Sequence, residues 1–224
     1  MLSQFSIDQM ELPLSDCAPT PAPSDLIRAH LVRGGISTIE LSRAAGIDGS
    51  FLFAILANRS PLSVACSVRI SLALGYNHRH FALAKARYDA FVADIENEPR
   101  DLPEPLSDAV KVNPANDMSA GELLRMHLQK RGLTGTSAAR AIGLSLQNFG
   151  TLLGGKRPFS ARVDHLLTHW LQLPPGTFLV AQAAGKADAA LAEISSETDS
   201  ERRPRIARPR SFYDCRSGKG MSHP

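Results

Sequence analysis

Residues 133–179, LTGTSAARAIGLSLQNFGTLLGGKRPFSARVDHLLTHWLQLPPGTFL, decide the fold. Ahead of them, Leu123, Leu124 and Leu128 lay an apolar stripe along a helix that ends near Gly132. A second helix over about Thr136–Ile142 turns Ala138, Ala141 and Ile142 inward. It stops at Gly143, a residue type suited to a left-handed turn. Leu144 then points inward, and Ser145 caps a third helix that runs to Leu153 with Phe149, Leu152 and Leu153 on its inner face. Gly154–Pro158 is a loop, and Ser160 opens a fourth helix holding Val163, Leu166, Leu167, Trp170 and Leu171. Pro174, Pro175 and Gly176 break it, and Phe178 begins an Ala-rich fifth helix to about Ile194.

Working outward, the block 119–194 has a counterpart at 24–96. The two align without a gap at an offset of 97 residues. Leu26, Arg28, His30, Gly35, Arg43, Gly46, Pro61, Ser63, Leu74 and Phe81 fall on Leu123, Arg125, His127, Gly132, Arg140, Gly143, Pro158, Ser160, Leu171 and Phe178. A gapless match that keeps both punctuating glycines and the proline reads as a tandem duplication. Around the blocks lie a Pro-rich flexible arm (1–23), an acidic, Pro-rich linker (97–118) and a polar tail (195–224), basic beyond Arg202 and expected to be disordered.

Helix, short glycine turn, helix and glycine-basic loop make a helix-turn-helix. These residues resemble the phage-repressor (Cro and lambda-repressor, XRE) type of domain. The GKRP loop, the Ser that opens a long helix, and the Pro-x-x-Phe step are similar to antitoxins of plasmid-maintenance modules. The first block, with Glu40-Leu41, matches the early part of the same pattern. The resemblance implies an all-α protein: two tandem lambda-repressor-like domains joined by the linker, with disordered termini. It also implies a sequence-specific DNA-binding transcription regulator of the repressor type. The alternative is a protein-interaction module, an antitoxin or anti-activator, built on the same fold.

Composition narrows the classes further. The net charge is only +3, so the distribution of charge matters more than its sum. Cys17, Cys66 and Cys215 are too few and too scattered for a disulfide framework or a metal site, and they fit a reducing, cytoplasmic setting. No basic-then-apolar leader and no run of membrane length is present, so no membrane contact is expected. His165 and His169 stand at helical i, i+4 spacing, but a metal needs a third ligand. Phosphate-loop and nucleophile-elbow motifs are missing, and between Gly121 and Phe178 the only acids are Glu122 and Asp164. The expectation is a non-enzyme without cofactor or metal.

Docked in the expected manner, the helix after Ser145 enters the major groove of double-stranded DNA. Leu146, Gln147, Asn148 and Thr151 are the candidate base contacts: amides pair with an adenine edge, and apolar groups touch a thymine methyl. Arg140, Ser145, Lys156 and Arg157 are the candidate phosphate contacts, with Arg125, Lys130 and Arg131 as further cations. The first block places Gly49, Ser50, Phe51 and Ala54 where the second has its base readers. Phe51 and Phe53 then face outward, opposite Leu52, Ile55 and Leu56. Either they make a protein contact, with a second copy in a homodimer, with the second block or with another protein partner, or the helix is rotated and both rings are core. The basic run Arg202–Arg210 is either a DNA-associated arm or a solvated tail.

Overall fold

Short polar side chains and one proline start the helices. The structure, a computed structural model, describes residues 20–96, 102–107 and 118–202. Helix α1 (Pro23–Gly34) begins on a proline, whose fixed φ and missing N–H suit a first turn. Ser37 opens α2 (Thr38–Ala45), accepting from the Glu40 N–H while the Glu40 carboxylate accepts from the Ser37 N–H. Asp48 caps α3 (Gly49–Leu56) and Ser63 caps α4 (Val64–Ala73); α5 (His80–Glu96) follows. Ser119 and Glu122 form a second reciprocal box at α6 (Ala120–Lys130), and Thr134 with Ser137 a third at α7 (Gly135–Ala141). Ser145 caps α8 (Leu146–Leu153), Ser160 caps α9 (Ala161–Trp170), and α10 (Thr177–Arg202) is the longest. Among the described residues every regular element is a helix, so the protein is all-α.

The offset of 97 read in the sequence is also structural. Helices α2, α3, α4 and α5 start at 38, 49, 64 and 80, and α7, α8, α9 and α10 start at 135, 146, 161 and 177. Left-handed backbone recurs at the same offset: Gly35 and Gly132, Gly46 and Gly143, Asn58 and Gly155, Gly75 and Gln172. Each half therefore turns at the same places, even where only one copy supplies a glycine. Ile27, Leu41, Leu52, Ile55 and Phe81 are buried together in the first half; Leu124, Phe149, Leu152, Leu167 and Phe178 are buried in the second.

The halves are not separate bodies on a tether. Helix α5 packs on α10, while α4 packs on α10 and α9 on α5. Ala86 and Ala90 of α5 sit in the second half's core, and Val68 and Ala82 meet Ala187 and Ala190. Asp188 of α10 ties the interface: Arg79 donates to both its oxygens at 2.7 and 2.6 Å, and His78 Nε2 lies 2.7 Å away. Arg79 accordingly holds that carboxyl below its ordinary pKa.

Three boundaries differ from the sequence reading. Pro23, assigned to the arm, is the buried first residue of α1. Within the linker, residues 102–107 dock rather than float: the Leu106 N–H donates to the Trp170 carbonyl at 3.0 Å, and Leu102 and Leu106 pack on the second core. The expected disorder from residue 195 is corrected, because α10 continues to Arg202. No Gly or Pro interrupts 187–203, Pro204 is the next breaker, and Arg69 pairs with Glu197 at 2.9 Å. The arm up to residue 19, the rest of the linker apart from Met118, and residues 203–224 with most of the basic run lie outside the described residues.

Candidate nucleic-acid interface

Helix α8 is short, and its position is fixed from two sides. Phe149 and Leu152 are fully buried beneath it. At its start, Ser145 Oγ accepts from the Asn148 N–H at 3.3 Å, leaving an uncharged tip. At its end, Arg125 of α6 donates from Nη2 to the Leu153 carbonyl at 3.0 Å. This leaves Leu146, Gln147 and Asn148 exposed together at the N-terminal turn. Thr151 is half-buried, and its hydroxyl donates to the Asn148 carbonyl at 2.7 Å, so the methyl is the part it can offer outward.

Along the sequence that surrounds this tip the charge is of one sign. From Leu123 to Val163 the chain contains no Asp or Glu. Arg140, on α7, is exposed, as are Lys156 and Arg157 on the loop after α8. That loop folds back on the helix, the N–H groups of Lys156 and Arg157 both donating to the Thr151 carbonyl. Two cations grouped with them in the sequence reading are engaged elsewhere. Arg125 caps α8, and Arg131 donates to the Leu171 carbonyl at 2.6 Å, closing the end of α9. Both hold the scaffold, a role that residue type alone did not reveal.

Helix α3 presents a different surface from the matching place. Its Phe51 and Phe53 are 41% and 57% exposed, while Leu52, Ile55 and Leu56 are buried, so the rotated alternative with both rings in the core is excluded. Its tip is anionic: Asp48 accepts from the Ser50 hydroxyl and the Phe51 N–H, which hold its carboxyl below the ordinary range. Asp before an apolar run is a plain capping signal, and Asp48 stands at that place in the sequence. Val32 at 84% and Ile39 at 58% exposure extend the apolar character of this half.

The histidines pack within the helices. His30 Nδ1 lies 2.8 Å from the Tyr76 hydroxyl, and His80 stacks on the Tyr76 ring at 4.6 Å. His127, at the matching position, is buried edge-on to Phe178, and burial lowers its pKa. His165 is buried with Asp94 3.4 Å from Nδ1. Among the described residues no three His, Cys, Asp or Glu side chains gather as a metal site. Nor, among those residues, is any helix long and apolar enough to cross a membrane. No family model, curated protein or solved structure matches the chain.

Proposed function

We propose that the chain is a sequence-specific DNA-binding transcription regulator of the repressor type. On this reading each half is a lambda-repressor-like helix-turn-helix domain, the segment 97–118 is their connection, and α7 with α8 is the reading motif. One observation carries it: Gln147 and Asn148 stand exposed on the uncharged tip of α8, amid an acid-free stretch with Arg140, Lys156 and Arg157 at its surface. Amide side chains at a helix tip reach adenine edges, Leu146 meets a thymine methyl, and the flanking cations and Ser145 hold phosphates. Nothing in this chemistry calls for a cofactor.

A second reading, a protein-interaction module of antitoxin or anti-activator type, is favoured by Phe51 and Phe53. Two exposed aromatics on one short helix suit a protein contact better than a base edge. Both surfaces can belong to one regulator. Enrichment of duplexes from a random pool by the full chain tests the DNA reading. One enriched sequence should bind at least a hundredfold more tightly than its scrambled version; equal binding would refute a base reader.

A further inference from the structure

The interface between the halves has internal symmetry. A surface groove where they meet takes its walls from both, at matching positions: Ser63 and Ser160, Ala86 and Ala183, Asp89 and Lys186. Each pair is separated by 97 residues, the offset of the duplication. The helix contacts obey the same exchange, since α4 on α10 becomes α9 on α5 when the halves are swapped. So does the small-residue surface that joins them, where Ala90 and Ala93 of α5 match Ala187 and Ala190 of α10, all four buried. Groups that meet their own equivalents across an interface define a two-fold axis. Here the axis lies within one chain.

This places α3 and α8. The loop leaving α3 and the loop leaving α8 both end at the groove, through Ser63 and Ser160. The two-fold relation carries α3 onto α8, one on either side of the axis. On the DNA reading, a duplex that reaches α8 across this face would run on past α3. In a homodimer that second position would hold an identical reader; here it holds Asp48, whose carboxylate repels phosphate, and two phenylalanines.

Resting on the DNA reading above, we propose that the chain binds DNA as a single molecule on an asymmetric target. Helix α8 reads one segment, the duplex runs on across the axis, and the α3 side makes no base contact. Helices α5 and α10, by which the two halves pair, already cover each other within the one chain.

The test uses the full chain and the duplex enriched from a random pool. Native mass spectrometry of the complex should give one chain per duplex, and the enriched sequence should contain one preferred block with no inverted copy. Two chains on a palindrome would overturn this inference and leave the DNA reading intact. No enriched sequence at all would remove the DNA reading and this inference with it. A variant reports on α3 directly. Asp48→Ser should tighten binding about threefold or more at low salt, an effect that fades as salt screens the duplex. An unchanged affinity at low salt would mean that α3 lies away from the DNA and would overturn the shared face.

Discussion

A Cβ placed on Gly121 would stand 2.6 Å from the carbonyl oxygen of Leu153. One turn further along α6, Arg125 hydrogen-bonds the same oxygen. Residues i and i+4 of one helix thus grip the C-terminal end of α8. The proposed reading helix is positioned by backbone contact as much as by its buried Phe149.

Gly121→Ala should therefore cost about 1–3 kcal/mol, the usual penalty for overpacking a close contact. The helix-propensity gain from Gly to Ala, at most about 1 kcal/mol, offsets only part of it. Urea denaturation of the full chain measures the difference. A neutral or stabilised variant would show that α6 and α8 separate easily and that the contact does not set the orientation of α8.

Asp164 gives a prediction in pH. Its carboxylate is buried and accepts from the N–H groups of Gly176, Phe178 and Leu179 at 2.8–3.0 Å, fastening α9 to the start of α10. Burial outweighs those bonds and pushes its pKa up to about 6 from 3.8. Because the folded value is raised, the protonated form is favoured in the folded state. That contribution is complete below about pH 4 and is lost as pH rises through about 6. The difference between the two values corresponds to about 3 kcal/mol. Relative to Asp164→Asn, the wild type should lose stability on this order between pH 4 and pH 7. The opposite trend would mean that the three N–H donors outweigh burial.

The starts of α8 and α9 were legible because Ser145 and Ser160 announce themselves ahead of apolar periodicity, and Gly132 and Gly143 mark left-handed turns. The outer face of α8 followed from that register. The packing of one half on the other was not legible. It is built from Ala86, Ala90, Ala187 and Ala190, and alanine on a helix reads equally as propensity or as contact. The partners of Arg125, Arg131 and Asp164 are backbone groups distant in sequence, which leave no trace in residue type.

Removing Phe51 and Phe53 should not unfold the protein. Phe51→Ser with Phe53→Ser should together cost no more than about 1–2 kcal/mol, since each ring is only about half covered. Leu52→Ala between them should cost about 2–5 kcal/mol, since Leu52 is fully buried. Thermal and urea unfolding of the two variants check the contrast. A large loss from the double serine variant would place the rings against something in the folded chain.

The last prediction separates the two capped tips. Gln147→Ala or Asn148→Ala should each cost about 1–3 kcal/mol on the enriched duplex and little on a scrambled one. Ser50→Ala, at the place matching Gln147, should leave specificity unchanged, because Ser50 Oγ is already committed to Asp48. Salt dependence adds an independent count. Six candidate cations (Arg125, Lys130, Arg131, Arg140, Lys156 and Arg157) would give a log–log slope of about −5. With Arg125 and Arg131 engaged by backbone carbonyls, the remaining four give about −3 to −4. Affinities at three salt concentrations measure it. A slope near −5 would mean that those two arginines leave their carbonyls for phosphate. Equal losses at Gln147 and Ser50 would mean that α3 reads bases too, and that Asp48 and the phenylalanines do not keep it from the groove.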